Sequence, residues 1–414
     1  MKAIIGLRES GIPVLWGGQF LAIAGLTVLV PLLPLYMTEL GANDPGDNRL
    51  WTGLSLAAPA VTACFVSPVW GKAGDRLGRK WMVVRALLGL AASLILMGAA
   101  QTPFQFFLCR LLQGVCGGVV DAASAYAGSE APETERGKAL GIMQSAIAAG
   151  SLAGPLVGGV MVNWIGFSSL LVFMGILTGM SGLLAAAVLK ETGKKEDRKK
   201  TEASVTQVYI DLLSHSRLRP FMIAGVFSQI GMFGLVVVFA PFVAQLSGIS
   251  GNASAWVGIL QAIAWGAGLA GAAWWGKRND RSRIETNLIL AMAVCGISII
   301  LQAMPQHVLW LIPLRIVQGF CYSSVLQSIM LAVTQESKDE HRGVYVGTAN
   351  SVLVFGQIAG SLTGAMLGGF LTGEWIIAVM GLMFLTGAFS IVRGHALQPG
   401  IFKLQRYREV NNER

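Results

Sequence analysis

Long apolar runs separated by short polar segments fill most of the 414-residue chain. A helix needs about 20 apolar residues to cross the hydrocarbon core of a bilayer, and twelve runs reach that length. They predict twelve membrane-spanning helices, which we number span one to span twelve. Their predicted bounds are residues 13–37, 51–71, 81–101, 104–129, 138–162, 167–189, 219–246, 253–276, 284–303, 308–334, 345–371 and 374–393. Because twelve is even, both termini are expected on the same side of the membrane.

Composition also favours an integral membrane protein. Hydrophobic residues make up 54% of the chain and charged residues 13%, about half of the charged fraction of a soluble domain. The net charge of +9 could suggest nucleic acid, but the bases lie in short loops beside apolar runs, so no nucleic-acid partner is expected. The five cysteines lie inside apolar runs and form no disulfide or metal-binding pattern.

Basic residues occur in alternate loops. Arg49 is the only Lys or Arg in the loops that follow odd-numbered spans, whereas each loop that follows an even-numbered span is basic. Loops with an excess of Lys and Arg stay in the cytoplasm. Both termini are therefore predicted to be cytoplasmic.

One long polar segment, residues 190–217, divides the spans six and six. Its first part has the composition of a solvated linker. Residues 205–213 could form a short amphipathic helix on the membrane surface, or simply continue the linker. The predicted units are an N-terminal six-helix bundle (1–189), the linker (190–217), a C-terminal six-helix bundle (218–393) and a tail (394–414).

Four motifs occur twice in the same order, 205 to 210 positions apart. They are the charged loops that begin at Gly71 and Gly276, Arg110-x-x-Gln113-Gly114 and Arg315-x-x-Gln318-Gly319, Arg136-Gly137 and Arg342-Gly343, and the glycine-rich runs that begin at Gly150 and Gly360. Such self-similarity indicates a duplicated unit. Two six-helix halves of the same topology form one large class of secondary transporters, with the substrate site at mid-membrane between them.

The motifs resemble those of the major facilitator superfamily, over essentially the whole chain. Gly71-x-x-x-Asp75-Arg76-x-Gly78-Arg79-Lys80 looks like the signature loop of the superfamily, Gly150-x-x-x-Gly154-Pro155-x-x-Gly158-Gly159 resembles its antiporter motif, and Gly25-x5-Pro31-Leu-Leu-Pro34 resembles a pattern of the twelve-span drug:proton antiporters. Within that branch the chain most resembles the MdtG-type bacterial multidrug exporters.

This resemblance implies an all-α transporter in the bacterial cytoplasmic (inner) membrane. It would export amphipathic organic solutes by alternating access, with protons entering in exchange. The proton gradient is the implied energy source, with no cofactor and no metal, and the protein is expected to act as a monomer in the lipid bilayer.

The signature loop is predicted to gate the cytoplasmic face. Gly74 and Gly78 would permit a tight turn, and the resemblance implies that Asp75 caps the N-terminal end of span eleven while Arg76 and Arg79 pair nearby. The alternative is that the bases of this loop only anchor the topology. The second copy lacks the later glycine, so its gating role is less expected. The predicted gate comprises Gly71, Asp75, Arg76, Gly78, Arg79, Asp280 and Arg281.

Span five carries small residues on one face. Gly150, Gly154 and Gly158 recur at four-residue intervals, which lets another helix backbone approach closely, and Pro155 permits a bend. Close packing explains these residues without a ligand. The resemblance implies that this face, with Gly159, seals the interface between the two halves.

Three charged residues lie deep inside predicted spans, namely Arg110, Asp121 and Arg315. A charge at the centre of a span costs at least about 2.5 to 3.5 kcal/mol, so each is a functional candidate. Asp121 is predicted to couple protons or to bind a cation. The alternative is a structural aspartate with an unrecognised partner. Arg85, near the start of span three, is expected to snorkel to the interface.

Helical spacing predicts that Asp121 shares a face of span four with Arg110, and that this face lines the central cavity. The resemblance implies that Arg110 assists proton transfer, and Arg315 is its repeat equivalent. Alternatively, both arginines lie near the extracellular surface and snorkel. The full predicted face is Arg110, Gln113, Gly114, Gly117 and Asp121.

Uncharged polar and aromatic residues are predicted to complete the substrate cavity. With Arg315 and Gln113 they are Gln19, Phe20, Gln144, Gln229, Phe233, Gln261, Tyr322, Gln327, Asn350 and Gln357. The main functional prediction is a multidrug exporter. A dedicated exporter of a siderophore or another endogenous metabolite is the first alternative, because two membrane arginines suit an anion. A transport-inactive receptor or scaffold is the second. No P-loop is present, and no enzyme activity is expected.

Overall fold

A computed structural model describes residues 11–130, 136–190, 205–247, 253–337 and 342–396, without the side chains of residues 67–68, 71–72, 74–76, 136–137, 205–206, 247, 342–343 and 395–396. Regular structure in this part of the chain is entirely helical. Span one is Ile12–Glu39, span two Pro45–Leu77, span three Arg79–Ala99, span four Pro103–Cys116 with Val119–Glu130, spans five and six together Arg136–Val188, span seven Leu218–Ser247, span eight Ala253–Arg281, span nine Ile284–Leu301, span ten Leu311–Glu336 after the short turn Val308–Trp310, span eleven Arg342–Leu367 and span twelve Gly373–Ala396.

Eleven helices of the described residues are long and apolar enough to cross a membrane, and one of them, Lys138–Val188, has 51 residues. A straight helix of that length would extend about 75 Å, more than twice the roughly 30 Å of a hydrocarbon core. Gly166 interrupts it with φ 77 and ψ 166, a conformation that glycine adopts without steric cost. The helix is therefore two spans, and the prediction of twelve spans is confirmed.

The internal repeat is visible in the packing. The indole of Trp70 donates to the carbonyl of Val115 over 2.7 Å, and Trp275 donates to Phe320 over 3.0 Å. Both residues of the second pair lie 205 positions after those of the first. Spans two and four therefore pack in the same register as spans eight and ten.

The glycine motifs bring helix backbones together inside each half. A Cβ added at Gly154 would lie 2.6 Å from the carbonyl oxygen of Ala24 in span one, and one added at its repeat equivalent Gly364 would lie 2.7 Å from that of Gly234 in span seven. The two copies of the motif thus pack span five on span one and span eleven on span seven. The expected seal between the halves is not made by this face, because its neighbours belong to the same half.

The hydrogen bonds described between the halves lie at the end remote from the termini, where span one ends and span two begins. Arg49 donates to the carbonyl of Gly368, and Ser254 donates to Asn163 over 2.6 Å. A Cβ at Gly159 would lie 2.7 Å from the carbonyl oxygen of Ser254. Span two thus meets span eleven. Span five meets span eight through Pro155 and Gly159 of the predicted motif, and not through the face of Gly150, Gly154 and Gly158.

A short helix, Val205–Ser214, precedes span seven, which confirms the helical alternative for residues 205–213. Its Asp211 accepts a hydrogen bond from Tyr345 of span eleven over 3.2 Å. Residues 191–204 of the linker lie outside the described part of the chain.

Candidate functional site

Span four is broken at two glycines. The first helical segment ends at Cys116, Gly117 is extended with φ −60 and ψ −174, and Gly118 has φ 96. The second segment begins at Val119, so Asp121 lies in its first turn. The prediction of one helical face from Arg110 to Asp121 is therefore wrong, because the glycines change the chain direction between them.

Asp121 lines a cavity of about 300 Å³ between spans two, three and four. Its side chain is exposed to that space, and no hydrogen bond or ion pair joins it to another residue of the described part. The structural alternative, a buried aspartate with a partner, has no support among these residues. The cavity lining includes Trp70, Arg79, Met82, Arg85, Gly114, Gly117 and Gly118.

Arg85 does not snorkel to the interface as predicted. Its guanidinium lies 3.7 Å from the ring centre of Trp70, and Nη2 donates to the carbonyl of Gly117 over 2.9 Å. Its Nε and Nη1 are buried and have no partner among the described residues. An arginine inside a span is a functional candidate by default, and that signal could have identified it.

Arg110 and Arg315 are also buried rather than snorkelling, with exposed fractions of 4% and 2%. Each donates Nη1 to the side-chain oxygen of the glutamine three residues later, Gln113 and Gln318 respectively, the second over 2.9 Å. The repeat therefore duplicates an arginine–glutamine pair, one in each half. No carboxylate pairs with either arginine within the described ranges.

The remaining contacts of the two arginines differ. Arg110 donates Nε to the carbonyl of Ser55 over 2.8 Å. Arg315 lies 3.5 Å from the ring centre of Phe239, and its buried Nε has no described partner. Gln302 donates to the same Gln318 oxygen that Arg315 uses, over 2.9 Å.

We expect Arg315→Lys to destabilise the protein by about 2 kcal/mol, because one ammonium cannot both donate to Gln318 and lie flat on Phe239. The measurement is the unfolding temperature in detergent. Arg393→Lys, at an exposed position of span twelve, is the matched control and should unfold like the wild type. Equal unfolding temperatures for the two variants would contradict a role for the guanidinium shape.

The structure places the predicted cavity residues unevenly. Tyr322 donates to Gln229 over 2.7 Å and so joins span ten to span seven. Gln19 is 1% exposed, and neither of its amide atoms has a described partner. Phe20 stacks on Trp16 at 5.5 Å. Of the others, Gln144, Gln327 and Asn350 are exposed and Phe233, Gln261 and Gln357 are half-buried.

The predicted gate falls largely outside the described side chains. The backbone of Gly71, Asp75 and Arg76 belongs to span two, which remains helical through Gly74 to Leu77, and nothing is described of these side chains. The turn is made by Gly78, with φ 88 and ψ 162. Arg79 donates to the carbonyl of Ala125 in span four over 3.2 Å.

The second copy of the loop has a different arrangement. Asp280 and Arg281 are exposed at the end of span eight. The neighbouring Asn279 bonds to Asn287 of span nine over 2.8 Å and to Ser328 of span ten over 3.2 Å. This side-chain network, which Arg278 also joins through Asn287, links three spans. It was not predicted, because asparagines in a charged loop carry no distinguishing pattern.

A second unpredicted cluster lies at the start of span seven. Arg217 donates to Glu285 of span nine over 3.1 Å and to Glu336 of span ten. Glu285 is 4% exposed, so this ion pair is partly withdrawn from water. The helix boundaries alone could have indicated that these three residues lie on the same side of the membrane.

Comparison with known proteins decides the family. The model of the Major Facilitator Superfamily matches residues 15–305 and 286–399. The chain belongs to this superfamily. A superfamily member of this kind is a membrane transporter and not an enzyme, as the sequence predicted.

The superfamily relatives include two kinds of named transporter. The chain is 42% identical over 386 residues to the "Staphyloferrin B transporter" of Staphylococcus aureus. The aligned region covers 93% of this chain and 92% of that relative. It is 26% identical over 359 residues to "Multidrug resistance protein MdtG" of Proteus mirabilis, and this aligned region covers 87% of this chain and 89% of that relative.

Solved superfamily structures share the fold. The nucleoside transporter NupG aligns with a TM-score of 0.76 at 15% identity, over 92% of this chain and 98% of that one. A bacterial homologue of the lysosomal transporter Spinster, in an inward-facing and occupied conformation, aligns with a TM-score of 0.73 at 13% identity, over 94% and 95% of the two chains.

Proposed function

We propose that this transporter exports an anionic, siderophore-type metabolite and takes up protons in exchange. The observation that carries the proposal is the sign of the charge inside the spans. Away from the span ends, Arg85, Arg110 and Arg315 oppose one aspartate, Asp121. Fixed positive charge in a low-dielectric environment attracts anions and repels lipophilic cations.

The relatives support the same choice of solute. Identity to the staphyloferrin B transporter is 42%, whereas the MdtG proteins reach 26% to 28%. The multidrug exporter remains the second candidate, since those relatives still align over 87% to 89% of this chain and the protein has 16 methionines, side chains that adapt to varied solutes.

Alternating access is the proposed cycle. The two halves meet at the end remote from the termini through Arg49 and Gly368 and through Ser254 and Asn163. If the termini are cytoplasmic, as the loop charges predict, the periplasmic side is closed in this state. Asp75 then serves as the gate at the opposite end, and Asp121 carries the proton. The site of action is the bacterial cytoplasmic membrane, and the protein acts as a monomer.

The test compares solute classes in proteoliposomes with an imposed pH gradient. A carboxylate siderophore and a lipophilic cation are supplied separately, and accumulation of each is measured with and without the gradient. We expect the carboxylate to move at least tenfold faster than the cation. Transport of the cation alone would overturn the proposal in favour of multidrug export. Absence of solute-dependent proton flux with either would favour the receptor or scaffold alternative.

A further inference from the structure

The broken span four has an unbroken counterpart in the second half of the chain. Spans two and four share their register with spans eight and ten, as the bonds of Trp70 and Trp275 show. At that register, Gly117 and Gly118 correspond to Tyr322 and Ser323. Span ten runs through these positions as one helix, Leu311–Glu336. The same packing frame therefore accepts a continuous helix.

Two charges accompany the break. At the same offset, Arg85 and Asp121 correspond to Leu290 and Leu326. The half with leucines has the continuous helix, and the half with the arginine and the aspartate has the break. Both charged residues line the cavity beside the break, although they are not in contact in this state.

Arg85 occupies the place of a backbone donor. In a continuous α-helix the carbonyl of Gly117 would accept from the N–H of Asp121, four residues later. Here that carbonyl accepts from Nη2 of Arg85 over 2.9 Å. The bond satisfies a carbonyl that the break would otherwise leave without a partner, so Arg85 stabilises the broken form.

A continuous span four would release Arg85. Its Nη2 would lose the Gly117 carbonyl, and its Nε and Nη1 already have no described partner. The guanidinium would keep its stacking on Trp70, but a buried guanidinium that donates no hydrogen bond is strongly unfavourable. The carboxylate of Asp121 lines the same cavity and makes no described bond, so it is the anion available to the released guanidinium.

We propose that span four alternates between broken and continuous forms, and that Arg85 is a positioning residue that binds the Gly117 carbonyl in the first and the Asp121 carboxylate in the second. The inference does not depend on which solute is carried. Because only the ionised carboxylate pairs with Arg85, protonation of Asp121 would favour the broken form of span four.

Amide hydrogen exchange of residues 119–121 reports the two forms. In the broken form these N–H groups belong to the first turn of the second segment and have no helical acceptor. In the continuous form they are bonded and protected. Exchange is measured by mass spectrometry on the full-length protein in nanodiscs, without solute.

Gly118→Ala should favour the continuous form, because alanine disfavours φ 96 and prefers a helix. We expect about tenfold slower exchange at residues 119–121. Gly128→Ala is the matched control, since a Cβ there would meet a single atom, Leu140 Cδ2, at 3.9 Å. It should leave these amides unchanged. Unaltered exchange in Gly118→Ala would overturn the proposal.

Asp121→Asn added to Gly118→Ala tests the ion pair. It should restore fast exchange by about tenfold, because the continuous form loses its charge partner. In a Gly118→Ala protein that also carries Arg85→Gln, adding Asp121→Asn should not change the exchange rate of residues 119–121. Lys80→Gln, in the same span as Arg85, is the control replacement, and in the Gly118→Ala protein it should leave exchange slow. Equal exchange with and without Asp121→Asn would show that the two charges never pair. Because no solute is present, a failed anion-transport assay leaves this result unaffected.

Discussion

Asp121→Asn is expected to abolish proton-driven net transport while leaving solute exchange at equilibrium partly intact. Asparagine keeps the size of the side chain but cannot take up or release a proton. A carboxyl in a cavity of about 300 Å³ inside the spans can change protonation when the environment alternates between wet and dry. Exchange of labelled for unlabelled solute requires no proton movement and should survive.

The measurement uses proteoliposomes in two modes. Net uptake is driven by an imposed pH gradient and should fall at least about 100-fold, the range seen when a positioned proton carrier is lost. Equilibrium exchange is measured without a gradient. Asp47→Asn, at an exposed position near the start of span two, should match the wild type in both. A wild-type pH dependence in the Asp121 variant would refute the coupling role.

Gly258→Ala is expected to hold the two halves apart at the end remote from the termini, and to reduce transport at least about tenfold. A Cβ at Gly258 would lie 3.0 Å from the Cα of Gly159 and closer still to the carbonyl oxygen of Pro155. Both neighbours are backbone atoms of span five, which cannot move aside as a flexible side chain can. The closed arrangement would therefore lose stability relative to the open one.

The control for this variant lies two turns along the same span. A Cβ at Gly266 would meet a single atom, Leu152 Cδ1, at 3.8 Å, so Gly266→Ala should transport normally. Cysteines at positions 163 and 254, in a protein without its native cysteines, report closure through a short thiol cross-linker. Gly258→Ala should lower the cross-linking yield. Full cross-linking in that variant would show that Gly258 is not needed for closure.

The sequence predicted the spans and the repeat because both depend on patterns longer than a helical turn. Apolar runs locate the spans within a few residues, and the duplicated motifs correctly paired Arg110 with Arg315 and Gly154 with Gly364. The break in span four was missed because hydropathy does not change at Gly117 and Gly118. A glycine in an apolar run is compatible with a helix, and only the backbone angles distinguish the two outcomes.

Side-chain direction was the second quantity that the sequence did not supply. The long side chain of an arginine inside a span can either snorkel or be buried, and the outcome for Arg85, Arg110 and Arg315 depends on the neighbouring carbonyls and rings. Likewise, the glycine spacing of span five predicts close packing but does not specify the partner. Span one fills that face, which leaves Pro155 and Gly159 to contact span eight.

The cluster around Arg217 has a mechanical consequence. Arg217 lies three residues after the helix Val205–Ser214 and binds Glu285 and Glu336, while Asp211 of that helix accepts a bond from Tyr345. Tension on the connecting segment is thus shared by spans seven, nine, ten and eleven. A displacement of the helix Val205–Ser214 would therefore be passed to four spans of the second half at once, instead of being absorbed by the start of span seven.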